Sequence, residues 1–395
     1  MSRETEGSWS SVATVAGWQV AASLCYYSIF AATGVVRDAF SLSATEVGLF
    51  TTAALLGYTV ALVPSGAAVD GYGEKRVMVF GLVGLAVATV GVSLAPSYGL
   101  LLVAGAVLGG AYSSAMPASN RGILASAPAG RGNFAMGLKQ VGVTAGSAIA
   151  SLVITGLAAV VAWQAGFWVI AALAGGYVVG FVALYDGTRG EGTLSVPDFS
   201  VLRSNRAYLV LIGVGFFMGA SIFAMLGYIV LYVVDDLGHT TLVGGVVLAL
   251  TQVMGSAARI GAGGVADRLG GARGAATVAL VQMAGAVVLF ALLATGLPSF
   301  PVALVVFAGL GLTVYGSTGV FYSCLGTIVD DDDIGAATAG GQTAINVGGL
   351  LAPPTFGLLV EHAGYSVSWA FLGALSVAGT VLLVVVRRRL GSPAG

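Results

Sequence analysis

The chain has 395 residues, 57% of them apolar with glycine left out, and 61 glycines besides, while Asp, Glu, Lys and Arg together make up only 8%. A soluble domain carries about a quarter charged residues, so this composition excludes a water-soluble globular enzyme, which could not cover its own surface, and equally excludes a disordered chain. The 16 basic and 17 acidic residues leave a formal charge of −1, which offers no field to gather nucleic acid.

Twelve apolar stretches of spanning length follow in chain order, at 11–34, 46–69, 77–95, 99–125, 134–159, 163–185, 207–234, 241–266, 274–296, 300–328, 335–360 and 365–386. They are continuous and rich in Gly and Ala, which favours helices over the short alternating strands of a membrane barrel. The first is too long for the core of a cleaved leader and lacks a small-residue cleavage site behind it, so it reads as a retained span. The polar stretch 186–206 divides the spans six and six. The predicted fold is an all-α membrane protein with 12 transmembrane helices in two pseudo-symmetric six-helix bundles, 1–185 and 207–395, joined by a cytoplasmic linker, 186–206.

Orientation follows from the bases, which short cytoplasmic loops retain. With the N-terminus inside, Arg3, Lys75, Arg76, Arg131, Arg189, Arg203, Arg206, Arg268, Arg273 and Arg387 to Arg389 are cytoplasmic, Arg37 alone is external, and Arg121, Lys139 and Arg259 are embedded. Both termini are then cytoplasmic, in a multi-pass protein of the inner or plasma membrane. The acidic run Asp330 to Asp333 falls in a cytoplasmic loop and reads as a solvated turn.

The halves repeat one another. GAAVDGYGEKR (66–76) recurs as GGVADRLGGAR (263–273), which pairs Gly66 with Gly263, Asp70 with Asp267 and Gly73 with Gly270. GAYSSAMPASN (110–120) aligns with TVYGSTGVFYS (313–323), which sets Tyr112 beside Tyr315 and Ser114 beside Ser317, and farther on Gly137 meets Gly340 and Gly146 meets Gly349. Internal symmetry of this kind marks alternating-access carriers, whose site lies at the interface of the repeats. On these residues the chain resembles a major facilitator superfamily transporter over essentially its whole length. Gly66, Asp70, Gly73, Lys75 and Arg76 match that family's signature between the second and third spans, and Gly263, Asp267, Arg268, Gly270 and Arg273 form its weaker echo. Glu74 departs from the signature, which is often basic there. The resemblance implies a gating motif, in which Asp pairs with Arg or a helix end and lets go when the halves rock.

Other classes lack their chemistry. GNFAMGLK (132–139) has the glycine spacing of a phosphate loop but not its Lys-Ser/Thr pair, and GAGGVA (261–266) follows no strand. Cys25 and Cys324 lie in apolar runs and His239 and His362 stand far apart, so neither a metal site nor a cofactor nor catalysis is expected.

The embedded cations carry the functional reading, because a charge inside a bilayer is costly and no acid lies clearly within a span. Arg259 is eight residues before Asp267, about 12 Å inside the end of its helix at 1.5 Å per residue. ARIGAGGVADRLG (258–270) resembles the eighth helix of monocarboxylate and oxalate carriers, where an arginine pairs with a substrate carboxylate; the structural alternative is snorkelling, or bonding to backbone carbonyls of the fifth and eleventh spans. Lys139, in FAMGLKQVGVTAG (134–146), resembles a position in the fifth helix of prokaryotic organic-anion porters. Arg121 could meet substrate or hold the cytoplasmic gate. Tyr26, Gln342 and Asn346 are neutral candidates; Gln342 aligns with Lys139, and Gln342 and Asn346 share one helix face. The expected protein is therefore a monomeric secondary transporter, a symporter or antiporter, whose partners are the lipid bilayer, a small anionic substrate, best an organic carboxylate, and a coupling proton as an option. The rival readings are a proton-coupled exporter of lipophilic drugs, which an embedded carboxylate would favour, a nitrate- or cyanate-type porter, and a non-transporting sensor on the carrier fold.

Overall fold

The computed structural model describes residues 8–129, 131–188, 190, 192, 201–296, 299–330 and 333–390. Arg3, Arg189, Asp331 and Asp332 lie outside the described residues, as does the side chain of Asp267. The helices are α1 (Trp9–Ala31), α2 (Thr33–Phe40), α3 (Ala44–Tyr72), α4 (Glu74–Ser93), α5 (Tyr98–Tyr112), α6 (Ala115–Ser126), α7 (Gly132–Val160), α8 (Trp163–Leu184), α9 (Arg206–Asp235), α10 (Thr241–Leu269), α11 (Gly271–Ala294), α12 (Phe300–Leu310), α13 (Ser317–Gly326) and α14 (Ile334–Arg389).

Ten helical segments are long and apolar enough to cross a membrane, with α5–α6 and α12–α13 each counted as one, and the bent pair α1–α2 supplies an eleventh. The 56-residue α14 breaks at Gly364, whose φ of 81° and ψ of 174° belong to no helix, and so divides into two runs. Among the described residues there are thus twelve apolar runs, in the places that hydropathy marks. Their outward faces stay apolar: Phe80 is 76% exposed and Val160 78%. In water such surface would be a liability, whereas against lipid tails it costs nothing.

The chain forms two compact units, residues 1–32 with 53–196, and residues 33–52 with 197–395. Within each, small residues bring backbones together. In the first unit a Cβ at Gly57 would overlap the Ala106 carbonyl, and one at Gly109 the Ala54 carbonyl, so α3 and α5 approach reciprocally. In the second, Gly219 meets the Ile345 carbonyl and Gly348 the Phe216 carbonyl, where α9 crosses α14. Gly348→Leu is expected to push these two helices apart, at a cost of about 1–3 kcal/mol for overpacking alone, and to lower the unfolding midpoint of the purified protein in a thermal-shift measurement.

The repeat is visible locally. Gly73 and Gly270, aligned in the sequence, both take left-handed φ values, 83° and 88°, and each sits immediately before the next helix. No β-carbon is tolerated cheaply at such a φ. Tyr112 ends α5 at the break before α6, and its counterpart Tyr315 ends a π-helical turn, Gly311–Tyr315, before α13.

Candidate functional site

In the second unit α10 carries Arg259 against the π turn. Close approach is possible because Gly255 packs where a Cβ would strike the Tyr315 ring, and Gly316 where one would strike Ala258. The Gly316 amide donates to the Gly311 carbonyl at 2.9 Å, one residue beyond α-helical spacing, and widened turns of this kind recur at functional sites. Arg259 donates from Nε and Nη2 to the Tyr315 carbonyl, at 3.3 and 3.2 Å, and its guanidinium carbon lies 4.7 Å from the centre of the Tyr315 ring. The carbonyl therefore comes from the tenth apolar run, not from the fifth or eleventh. No carboxylate among the described residues pairs with Arg259.

Beside it on α13 and α14, Tyr322 donates to Gln342 Oε1 at 2.6 Å, and Gln342 Nε2 donates to Asn346 Oδ1 at 2.8 Å. The shared helix face thus holds Gln342 and Asn346 in one polar line. Asn346 is fully buried, and its Nδ2 has no partner among the described residues. The Tyr315 hydroxyl is likewise buried without one. A buried amide donor costs free energy while it stays unmet.

The first unit holds Lys139 on α7. Its side chain is fully buried, and Nζ donates to Asn120 Oδ1 of α6 at 2.7 Å, with Met116 Sδ at 3.3 Å. Near the middle of α1, Gln19 donates to Ser23 at 3.2 Å and accepts from Ser119 at 2.8 Å. Tyr26 stacks on Tyr112 with ring centres 4.3 Å apart, and Tyr58 meets both edge-on.

Arg121 stands elsewhere in this unit, beside the 66–76 motif. It reaches Asp70 at 3.3 Å and Glu74 at 3.6 Å. Glu74, the residue that departs from the signature, is fully buried at the start of α4. A carboxylate is favoured there by the helix dipole. It also accepts from the Tyr185 hydroxyl at 3.0 Å, from the Thr188 amide at 2.5 Å and from the Thr188 hydroxyl. Lys75 donates to the Val182 carbonyl at 3.1 Å, so it too faces the end of α8. The start of the linker is strapped onto the motif. In the echo, Arg268 and Arg273 are exposed.

One cluster had little signal in the sequence beyond an isolated base. Within the second unit Arg37 of α2 makes a bidentate pair with Asp235 of α9, at 2.5 and 2.8 Å, and the Tyr365 hydroxyl donates to the same carboxylate at 2.8 Å. The Thr45 amide donates to Glu361 at 2.6 Å, and the Tyr228 hydroxyl donates to the Ala44 carbonyl at 2.5 Å. Arg37, the lone base expected outside, thus ties the segment 33–52 to its unit.

A nearly all-helical chain of membrane-length apolar runs, with cations lodged inside them, is that of a multi-pass membrane transporter. Residues 15–331 match the family model described as Major Facilitator Superfamily, and the chain belongs to that family. It is similar in fold to a bacterial homologue of the human lysosomal transporter Spinster. The match to the inward-facing, occupied form has 16% identity and a TM-score of 0.75, and covers 95% of this chain and 94% of that one. For the inward-facing, unoccupied form the figures are 15%, 0.74, 97% and 96%. No curated protein matches the sequence significantly.

Proposed function

We propose that the protein is a secondary active carrier of a small anion, an organic carboxylate above all, working by alternating access. Arg259 carries this reading: a permanently charged guanidinium, set inside an apolar unit, is held by a carbonyl and an aromatic face and by no carboxylate among the described residues. A planar donor fork matches a carboxylate and stays charged at any working pH. The open amide of Asn346, held in line through Gln342, is a neutral donor of the kind that fixes a ligand's orientation. Lys139 adds a second buried cation, and Tyr26 an aromatic wall. Protons, if coupled, would travel on the substrate or through Lys139. The protein is assigned to the inner or plasma membrane, with both termini in the cytoplasm, on the distribution of its bases.

Arg121 is assigned to the gate, because Asp70 and Glu74 already hold it. Asp70→Asn is expected to slow exchange across proteoliposomes several-fold while leaving substrate affinity nearly unchanged; an unaltered exchange rate removes the gate assignment. The function is tested by thermal unfolding of the purified protein in the presence of small mono- and dicarboxylates, nitrate and lipophilic cations. A ligand at a hundred times its Kd stabilises by about 2.7 kcal/mol, so a carboxylate should raise the midpoint. A rise with lipophilic cations alone would overturn the anion reading in favour of an exporter.

A further inference from the structure

The geometry points to a binding site for the phosphate headgroup of an anionic phospholipid, at the paired ends of α11 and α14. A cavity of about 860 Å³ opens there, lined by Arg273, Gly274 and Thr277 of α11 and by Val384, Arg387 and Arg388 of α14. Its size falls within the range of about 300–1,000 Å³ typical of small-molecule sites. Three guanidinium groups border it, and among the described residues no acidic side chain does. Among the described residues no ion pair engages Arg387 or Arg388, and both are exposed. The like charges of Arg387 and Arg388 at the edge of one hollow repel each other, and a phosphate diester relieves that repulsion while accepting paired N–H donors. Thr277 is spoken for, since its hydroxyl donates to the Arg273 carbonyl at 2.8 Å. Recognition therefore falls to the arginines.

What favours a lipid over a free phosphate is the surface next to the charges. Val384 forms part of the cavity wall. About one turn deeper on each helix, Val281 is 66% exposed and Val381 56%, and Val288 and Val377 continue the two apolar stripes. A phosphodiester held by the arginines would lay its acyl chains along these valines. Basic pockets between spans, at the membrane surface, take anionic headgroups in this manner. The site is separate from Arg259 and does not depend on which solute is carried.

The test uses the full-length protein stripped of lipid in neutral detergent. Phosphatidylglycerol should raise its unfolding midpoint, whereas phosphatidylcholine and inorganic phosphate at equal concentration should not. Arg387→Gln combined with Arg388→Gln should abolish that rise without changing the lipid-free midpoint. A control variant, Arg131→Gln with Arg203→Gln, removes the same charge elsewhere and should keep the rise. Native mass spectrometry of the unmodified protein gives a second readout that needs no variant, in which phosphatidylglycerol adducts survive activation that strips phosphatidylcholine. Equal stabilisation by both lipids, an undiminished rise in the Arg387/Arg388 variant, or loss of the rise in the control variant would overturn the proposal. If inorganic phosphate alone reproduces the full effect, the ligand is a soluble anion and the lipid assignment falls.

Discussion

Arg259→Gln should abolish uptake of the carried carboxylate by proteoliposomes while leaving the fold intact. The glutamine amide can still donate to the Tyr315 carbonyl, which Arg259 holds at 3.2 Å, so the contact between α10 and the π turn retains a substitute bond. What disappears is the charge and the second donor of the fork. A hydrogen bond to a charged group contributes about 1.5–3 kcal/mol, and the loss grows where water is scarce. At about 1.4 kcal/mol per decade, affinity should fall at least tenfold and by more than a hundredfold in a dry site. Arg259→Lys separates charge from geometry: it keeps a point charge but not the planar fork, and should recover only part of the uptake. The readouts are uptake rate and the ligand-dependent shift of the unfolding midpoint. Normal uptake by the glutamine variant would sink the carboxylate clamp.

Glu74→Ala should give the largest loss of stability in the first unit. The carboxylate is fully buried, pairs with Arg121 at 3.6 Å, and accepts from the Tyr185 hydroxyl and from two donors of Thr188. Removing one member of a buried charged pair costs about 3–5 kcal/mol, because its partners are left without a counter-charge. Arg121 keeps a quarter of its side chain exposed and retains Asp70, which moves the expectation toward the lower end of that range. The midpoint should fall, and the Thr188 amide should exchange its hydrogen faster, since its acceptor at 2.5 Å is gone. Glu74→Gln keeps one oxygen acceptor and should lie between. Unchanged protection at Thr188 would show that the strap contributes nothing.

Glu74 also shows where reading the chain runs out. Its departure from the signature is plain in the sequence, yet its partner Thr188 stands 114 residues away. Local pattern carries no information on which distant donor fills a buried acceptor. Arg37 and Asp235, 198 residues apart, are a stronger case: each looks like a loop charge, and only the packing of α2 on α9 makes them one bidentate pair. Gln342 and Asn346 were legible as neighbours because helical spacing is local and regular. Tyr322, which completes their line from α13, was not.

The spans, the interruption after the sixth, the doubled motif and the place of Arg259 within its apolar run follow from the sequence alone, because membrane insertion acts on the apolarity and charge of continuous stretches about 20 residues long. The partners of those charges were decided only by the tertiary structure. Arg259 rests on a backbone carbonyl offered by a π turn, and a carbonyl's availability depends on local helix register and on glycines that let α10 come close, not on the identity of the residue that bears it. Arg121 was an ambiguous cation until packing set it against Asp70 and Glu74. The basic hollow between α11 and α14 is invisible to any one-dimensional pattern, since Arg273 and Arg387 lie more than a hundred residues apart and only the pairing of the two helices brings their charges to one cavity.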